Sequence, residues 1–455
     1  MNPTVLVVGA GPAGATAART LARAGVTVRL LDRSTFPRSK PCGGGISFRV
    51  LIRFPYLEQE LGRIATHRVA RFHLEGAPGE SMTIESDEPS ALMIRRLEFD
   101  ELLVSLAVQA GAELVTGAEI VQATSTDDRV EVVARDGRRF TAPFVIAADG
   151  VHSVIARRLG INPGWPASSI ALDMMEETSR DVLRDRDPST LWVAYGYAPS
   201  GNGRDVAPEE DRRRTPQGYA YVFPKRDHVN VGIGYVLAHY RESIGTAPYD
   251  LQRGLVDHLR GRAVIEGESI RRNFTPALIP VGGPLRRPGR DRVLVAGDAG
   301  GFVNGVTAEG IYYAMVSGEL AAKSLIETTP RSVHTLARRY RRACDHEIGA
   351  ELRDSVLIQR YLFADRRRIA RLIAGARRAP AMSRLILDFA GGRLRYLELR
   401  RRLLTQAPGL AGLMLWERLR ATVRQRGVTV DTRDGLCSRA PGRQTGCPQR
   451  VSKWK

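Results

Sequence analysis

The sequence predicts an α/β fold, in which a doubly wound parallel-sheet domain is interleaved with an antiparallel β-sheet domain and followed by a C-terminal helical region. Three patterns carry this prediction. Apolar runs near residues 4–8, 144–148 and 292–296 each end at a glycine turn, as buried parallel strands do. Residues 60–94 and 165–275 hold strands, such as 219–223, that alternate along one face. From Arg331 onward, apolar residues recur at helical spacing among many arginines.

We expect the domains to have the following limits. Residues 1–59, 95–164 and 276–330 form the parallel-sheet domain, and residues 60–94 and 165–275 form the antiparallel sheet. Residues 331–430 form a basic helical region, and the apolar-poor residues 431–455 form a disordered tail. Gly201 to Pro216 is polar and rich in turn residues, which indicates an exposed loop.

Composition excludes several classes of protein. The chain has 455 residues, of which 43% are apolar and 26% charged, so it is neither disordered nor collagen-like. Four cysteines are too few for a disulfide scaffold, and we assign no role to Cys437 and Cys447. The N-terminus lacks the basic start of a signal peptide, and the apolar stretch from Leu403 to Trp416 is too short to span a bilayer. We therefore expect a cytoplasmic protein.

The net charge of +19 is unevenly distributed. Residues 1–330 carry 39 basic and 39 acidic side chains, whereas residues 331–455 carry 29 basic and 10 acidic ones. A basic region of this kind either is a solvated helix face or meets an anionic surface, which can be nucleic acid or lipid headgroups.

The first βαβ unit carries a dinucleotide fingerprint. A strand over 4–8 runs into Gly9-Ala10-Gly11-Pro12-Ala13-Gly14, a helix to Ala24 follows, and a second strand ends at Asp32. Glycines at these positions allow the tight turn, the approach of a pyrophosphate and close helix packing, while the acid accepts from a ribose. This pattern predicts a Rossmann-like domain that binds NAD or FAD through Gly9, Gly11, Ala13, Gly14, Asp32 and Arg33.

Three later segments favour FAD. They are Arg96 to Asp100 at a helix start, Phe144 to Gly150, and Arg292 to Asp298 with the following loop to Ile311. Together they resemble the FAD-binding segments of the flavoproteins that include para-hydroxybenzoate hydroxylase. The resemblance implies that Gly297 and Asp298 hold the ribityl chain, and that the helix start at Glu309, Gly310 and Ile311 faces the flavin. It also implies that Arg96 lies near the cofactor and that Asp149 and Gly150 belong to the cofactor-binding residues, where Asp149 fixes a local turn.

Two further motifs resemble the geranylgeranyl reductase family. Lys40-Pro41-Cys42-Gly43-Gly44-Gly45 looks like its Lys-x-Cys-Gly-Gly-Gly signature, and Tyr219 to Pro224 looks like its aromatic-x-aromatic-x-Phe-Pro segment. The resemblance implies that Cys42 lies beside the flavin, where it either donates a proton or tunes the flavin. It also implies a prenyl channel that is shaped by Gly45, Tyr219, Tyr221, Phe223 and Pro224. Tyr219 and Tyr221 are second candidates for catalysis. The chain departs from the family at Tyr221, where Trp is frequent, at Gly305, a proline in the family, and at Ala308, a glycine there.

The resemblance implies an FAD-dependent reductase that saturates isolated double bonds of a geranylgeranyl or polyprenyl group on a lipid, quinone or diphosphate. NADPH or reduced ferredoxin would be the electron donor. The alternative on this scaffold is a flavin monooxygenase of an aromatic or other small substrate. A third, non-catalytic interpretation is a flavin-carrying membrane adaptor. We expect no metal site and no nucleic acid partner. We expect the basic C-terminal region to contact an anionic membrane surface, on the inner face of the membrane.

Overall fold

The computed structural model describes residues 4–76, 80–197, 216–378 and 380–406. Three predictions fall largely or wholly outside these ranges. They are the exposed loop from Gly201 to Pro216, the helix beyond Gln406 with its apolar stretch to Trp416, and the tail with Cys437 and Cys447.

The strands of the described residues belong to five sheets. In chain order they are β1 (Val5–Val8), β2 (Val28–Leu31), β3 (Gly45–Ser47), β4 (Thr66–Val69), β5 (Arg71–Glu75), β6 (Ser81–Glu85), β7 (Ala91–Ile94), β8 (Glu113–Val115), β9 (Ile120–Ser125), β10 (Val130–Ala134), β11 (Arg139–Ala142), β12 (Phe144–Ala147), β13 (Ala171–Ser179), β14 (Leu183–Asp185), β15 (Thr190–Tyr195), β16 (Gly218–Pro224), β17 (His228–Val236), β18 (Ile265–Gly267), β19 (Phe274–Ile279), β20 (Gly289–Arg290) and β21 (Val293–Val295).

The helices cover the two large sheets and fill the C-terminal part of the described chain. They are α1 (Pro12–Arg23), α2 (Arg49–Arg53), α3 (Leu57–Glu60), α4 (Arg96–Gln109), α5 (Val154–Arg158), α6 (Leu237–His239), α7 (Pro248–Gly261), α8 (Ile311–Ile326), α9 (Leu336–Cys344), α10 (Ala350–Leu362), α11 (Arg366–Arg378), α12 (Pro380–Ala390) and α13 (Tyr396–Gln406).

A six-stranded sheet forms the centre of the first domain, in the order β20-β21-β12-β1-β2-β8. Its strands are parallel except β20. Val5 and Val7 pack in the same core as residues of α1, α4 and α8, whereas Leu6 and Val8 pack with the β9–β11 sheet and α5. Because both faces are covered, every side chain of β1 is buried, which explains the continuous apolar run in the sequence.

A seven-stranded sheet, in the order β19-β13-β17-β16-β15-β5-β6, faces the first domain. It is antiparallel as predicted, except that β15 and β5 pair in parallel. Its limits also differ from the prediction. Strand β19 extends it beyond residue 275, while β7 pairs with both β3 and β4 in a separate small sheet. The segments of the two domains therefore alternate along the chain in a way that the predicted limits do not reproduce.

The structure shows no domain boundary at residue 331, where the sequence predicts a separate basic region. Leu336, Tyr340 and Leu352 are buried in the same core as α1 and α8. The Tyr340 hydroxyl donates to the carbonyl oxygen of Val295, at 3.0 Å. Helices α9 and α10 are thus part of the first domain, because their apolar faces complete its core. The exposed positions of these helices include Arg338, Arg342, Arg353 and Arg360.

The following helices cover the sheet edge. Ile369 and Ile373 of α11 pack against Met82 of β6 and against Phe363, and α12 and α13 pack on one another. Within the described ranges, no helix is both long enough and apolar enough to cross a membrane.

Candidate active site

A cavity of 920 Å³ lies between the carboxyl ends of the central strands and the face of the seven-stranded sheet. It brings most of the predicted site residues together. Those that line it are Gly9, Gly11, Ala13, Asp32, Arg33, Cys42, Gly43, Gly44, Gly45, Arg96, Asp149, Gly150, Tyr219, Tyr221, Phe223, Gly297, Asp298, Gly310 and Ile311. Gly14 and Pro224 do not line it.

The turn between β1 and α1 is built for close approach. Gly9 has a φ of +96°, and a Cβ there would lie 2.3 Å from the Ala148 carbonyl oxygen. A Cβ on Gly14 would lie 1.8 Å from the carbonyl oxygen of Gly9, so Gly14 supports the turn from beneath. A Cβ on Gly11, by contrast, would meet only the Arg38 guanidinium within 4 Å, at 3.7 Å. The backbone at Gly11 is therefore open to a phosphate group, as the fingerprint predicts.

Asp32 ties this turn to the end of β2. Its carboxylate accepts from the amide of Ala10 at 2.7 Å and from the amide of Ser34 at 2.8 Å. A carboxylate has further lone pairs, so it can still accept from a ligand hydroxyl in the cavity.

Asp149 organises the opposite side of the cavity. Its carboxylate accepts from the amides of Val154 and Ile155, at 2.8 and 3.3 Å, at the start of α5. Burial raises the pKa of this carboxyl, while these hydrogen bonds and that from Ser153 oppose the shift. The contacts agree with the role in fixing a turn that the resemblance implies.

Helix α8 points its N-terminus into the cavity. Gly310 precedes it and makes no side-chain cap, so the first amides of the helix remain available. A Cβ on Gly310 would lie 3.5 Å from Oδ1 of Asp298. The positive end of α8 thus lies next to Asp298, at a place that favours negative charge on a bound ring.

The loop before α8 is fixed by contacts from three directions. Its Asn304 side chain accepts from the amides of Val306 and Thr307, at 2.9 and 3.1 Å. The amide of Gly305 donates to Ser355 Oγ of α10, at 2.8 Å, and the Glu309 carboxylate accepts from the amide of Ser47, at 3.0 Å. Burial raises the pKa of Glu309, although Ser47 opposes this shift.

The departures from the family pattern have structural consequences in this loop. A proline at 305 has no N–H, so the bond from Gly305 to Ser355 depends on the residue that this chain has there. Ala308, in place of glycine, has a φ of +54°, a region that costs a non-glycine residue free energy.

The Cys42 to Gly45 turn is held against the aromatic strand β16. A Cβ on Gly43 would lie 2.9 Å from the Phe223 ring, and one on Gly44, which has a φ of +73°, would lie 2.1 Å from the Ile94 carbonyl oxygen. The Cys42 carbonyl oxygen accepts from the side-chain amide of Asn230, at 3.2 Å. Side chains at 43 and 44 would therefore push the turn off its support.

A buried ion pair network stands behind Cys42. Arg96 binds the fully buried Asp100 with two hydrogen bonds of 2.7 and 2.8 Å, and Arg38 reaches the same carboxylate at 2.8 Å. Burial alone would lower the pKa of Arg96, but Asp100 first and Cys42 next raise it above its ordinary value. A fixed positive charge therefore lies beside the Cys42 thiol.

Tyr219, Tyr221 and Phe223 form an aromatic wall along one face of β16. Ring centroids are 5.9 Å apart between Tyr219 and Tyr221 and 4.6 Å apart between Tyr221 and Phe223. The Tyr219 hydroxyl donates to the Thr307 carbonyl oxygen, at 2.7 Å. The proton of Tyr219 is thus committed to the loop, whereas that of Tyr221 faces a carboxyl group.

Sequence reasoning missed this carboxyl group, Asp173 of β13. It is 5% exposed, and both its oxygens lie 3.2 Å from the Tyr221 hydroxyl. Burial raises its pKa to about 7, against the opposing effects of Tyr221 and Lys40. The signal available in the sequence is a single acid within the apolar run from Ile170 to Met175.

Beyond the turn at Cys42, the cavity continues as an apolar arm. We use this name for the part lined by Phe72, Leu74, Leu191, Val193, Tyr195, Phe363 and Leu387. It runs from the aromatic wall, between the seven-stranded sheet and residues of α12 and of the C-terminal end of α10.

Known proteins are similar to this chain over most of its length. The FAD binding domain family matches residues 2–231. Digeranylgeranylglycerophospholipid reductase 1 of Methanopyrus kandleri is 32% identical over 335 residues, which are 72% of this chain and 81% of that protein. Menaquinone reductase of Mycobacterium tuberculosis is 31% identical over 332 residues, 70% of this chain and 76% of that protein.

The fold has a counterpart of known structure. A geranylgeranyl bacteriochlorophyll reductase-like protein from Thermoplasma acidophilum superposes with a TM-score of 0.70 at 19% identity, over 90% of this chain and 99% of that one. The fold and the glycine-built cradle define an FAD-dependent oxidoreductase. The chain belongs to the geranylgeranyl reductase family of these flavoproteins.

Proposed function

We propose that this flavoenzyme saturates isolated double bonds of a geranylgeranyl or polyprenyl group carried by a lipid, a quinone or a diphosphate. The apolar arm carries the proposal, because it gives a long apolar chain a buried place directly beside the Cys42 to Gly45 turn. The names of the relatives above, which include a prenyl-lipid reductase and a menaquinone reductase, support it.

The chain's residues suit the cofactor that this reaction needs. FAD would supply the hydride, held at Gly9, Gly11, Asp32, Gly297 and Asp298. The glycines from 43 to 45 let a flat ring approach the backbone, and the N-terminus of α8 stabilises negative charge at its edge. We propose NADPH or reduced ferredoxin as the electron donor.

We assign separate tasks to the three catalytic candidates. Cys42 contacts the cofactor region and, with Arg96 beside it, tunes the charge there. Tyr219 fixes the loop through Thr307, and its ring forms part of the channel wall. Tyr221 faces the cavity with its hydroxyl next to Asp173.

The test is a substrate panel. FAD-loaded protein, reduced by dithionite without oxygen, receives prenyl lipids, prenyl diphosphates and prenylated quinones, and free reduced FAD serves as the control. Quinone products are re-oxidised before mass analysis, so that hydrogens on the quinone ring are not counted. Addition of hydrogen pairs to the prenyl chain is expected. No change without oxygen, but oxygen incorporation with NADPH, air and an aromatic panel, would identify a monooxygenase instead.

We also propose that the enzyme meets its substrate at an anionic membrane surface through the C-terminal helices. Ile386 of α12 lines the cavity and is 45% exposed, so the apolar arm reaches the surface there. The neighbouring helix α11 exposes Leu372 together with Arg371 and Arg378. An apolar surface with arginines around it fits anionic headgroups.

Full-length protein is the right material for this test, because a chain ending near residue 329 would lose Leu336 and Leu352 from the core. Arg371→Glu with Arg378→Glu should reduce the salt-sensitive binding to phosphatidylglycerol vesicles, relative to phosphatidylcholine vesicles. Arg241→Glu with Arg272→Glu, two exposed positions elsewhere, is the matched control. Equal losses of vesicle binding in the two double variants would contradict the proposal that these helices contact the membrane.

A further inference from the structure

Tyr221 and Asp173 meet across an intervening strand. Tyr221 of β16 pairs with Gly232 of β17, and Asp173 of β13 pairs with Gly234 of the same strand. A Cβ on Gly232 would lie 2.4 Å from the Tyr221 hydroxyl. The absence of a side chain at 232 is therefore what lets the Tyr221 hydroxyl reach over β17 to the Asp173 carboxyl group.

The pair is enclosed and lines the cavity. Tyr221 is 3% exposed and Asp173 is 5% exposed, and both line the cavity. The residues opposite Asp173 on the two flanking strands are Gly234 and Ala277, which do not titrate. The titratable and charged groups that act on the pair are Tyr219 from β16, Lys40 from the loop after β2 and, through Tyr221, Cys42.

The protonation state of Asp173 decides where the proton of Tyr221 points. An ionised carboxylate is an acceptor only, so Tyr221 must then donate its proton to Asp173. A protonated carboxyl group donates to the Tyr221 oxygen instead, and the Tyr221 O–H is then free to point into the cavity. Because burial raises the pKa of Asp173 to about 7, both states occur near neutral pH.

We propose that Tyr221 donates the proton that saturation of a double bond requires, and that Asp173 is the positioning residue that turns this proton toward the substrate. The inference rests on the proposed function. The Tyr221 O–H proton bonds one alkene carbon as the π bond breaks, and bound reduced FAD would supply the hydride, with its two electrons, that bonds the other carbon. Tyr221 then regains a proton from the Asp173 carboxyl group, and Asp173 regains one from water.

The first test is a pH profile of single-turnover reduction in FAD-loaded, full-length protein. The wild-type rate should fall as the pH rises through about 7. Asp173→Asn should lack this fall, since its amide does not titrate there. Tyr221→Phe should be slower by about 100-fold or more below pH 7, as expected for loss of a general acid, and its deficit should shrink above pH 7, where the wild-type rate itself falls.

Glu176→Gln is the matched control. Glu176 is a buried carboxyl group on the same strand, and it accepts from Ser269 and Ile270 rather than lining the cavity. The Glu176→Gln variant should keep the wild-type pH profile of reduction. A fall near pH 7 that persists in Asp173→Asn, or a wild-type rate in Tyr221→Phe, would overturn the inference.

The second test needs no turnover. An infrared pH titration of the oxidised, FAD-loaded protein should show a protonated carboxyl band that disappears near pH 7 and is missing in Asp173→Asn. In Tyr221→Phe its midpoint should move upward, because the Tyr221 hydrogen bond lowers the pKa of Asp173. An unchanged midpoint would contradict the coupling. A wild-type protein that reduces no prenyl substrate would contradict the proposed function. If the wild type does reduce such a substrate, but Asp173→Asn has the same pH profile and the same infrared titration, only this inference is contradicted.

Discussion

The hydroxyl of Tyr219 lies 2.7 Å from the carbonyl oxygen of Thr307 and donates a hydrogen bond to it. This contact joins the aromatic strand β16 to the loop before α8. The wall of the apolar arm and the loop at the cofactor cradle are therefore positioned together, although 88 residues separate the two partners in sequence.

Tyr219→Phe removes this contact while keeping the ring in the wall. We expect weaker FAD retention by about three- to tenfold, since one hydrogen bond contributes roughly 1 kcal/mol. Equilibrium dialysis of FAD measures it. Tyr240→Phe is the control, because Tyr240 also donates to a backbone carbonyl, that of Thr246, away from the cavity. Equal retention in wild type and Tyr219→Phe would contradict a role for the contact.

Gly305→Pro tests a second contact of the loop before α8, the hydrogen bond from the Gly305 amide to Ser355 Oγ. It removes the N–H that Ser355 accepts, and its added atoms meet the Val281 carbonyl oxygen, 3.1 Å from where a Cβ would stand. Ser355→Ala removes the hydroxyl alone and should lower the free energy of unfolding by about 1 kcal/mol. Gly305→Pro should lower it more, as measured by urea unfolding. A proline variant as stable as the wild type would show that the loop can do without this bond.

Cys42→Ser should keep FAD bound and slow turnover. The cradle at Gly9 and Asp32 is untouched, but a hydroxyl replaces the thiol that lies beside Arg96. Stopped-flow measurement of reduced-enzyme turnover, with the FAD content determined on the same sample, separates the two effects. The control is Cys344→Ala, which alters a buried cysteine of α9 and should leave turnover per bound FAD unchanged. Full turnover in Cys42→Ser would remove Cys42 from the catalytic set.

Glu75, in β5 of the seven-stranded sheet, makes the stability of the fold depend on pH. Burial would raise its pKa, but hydrogen bonds from His73, Arg262 and Trp192 outweigh burial and lower the pKa to about 2. A lowered pKa stabilises the fold above the unfolded value near 4.5, and this contribution is lost as the pH falls toward 2. Glu75→Gln should therefore be less stable than the wild type at pH 7, and the difference should shrink below pH 4.5. A difference that is constant with pH in urea unfolding would contradict this.

Local spacing made the cofactor cradle predictable. Gly9, Gly11 and Asp32 lie within one βαβ unit, where a short stretch of sequence determines the geometry. Asp173 escaped prediction for the opposite reason. Its partner Tyr221 lies 48 residues away, and their contact depends on the order β13-β17-β16 in the sheet, which no local pattern encodes.

The C-terminal region shows how charge can mislead. The arginines from 331 onward suggested a separate basic region, yet Leu336, Tyr340 and Cys344 recur every four residues and are buried in the first domain. This spacing places them on one helix face. The periodicity of the apolar residues, rather than the net charge, indicated where the helix packs.

The most direct test of the central claim is an anaerobic single turnover with geranylgeranyl diphosphate, a substrate without a quinone ring that could oxidise the flavin by itself. Flavin absorbance and product mass are followed on the same sample. The account predicts that one reduced FAD becomes oxidised for each pair of hydrogens that the prenyl chain gains. A flavin that stays reduced in the presence of this substrate and of prenylated glycerophospholipids, and becomes oxidised only when oxygen is admitted, would contradict it.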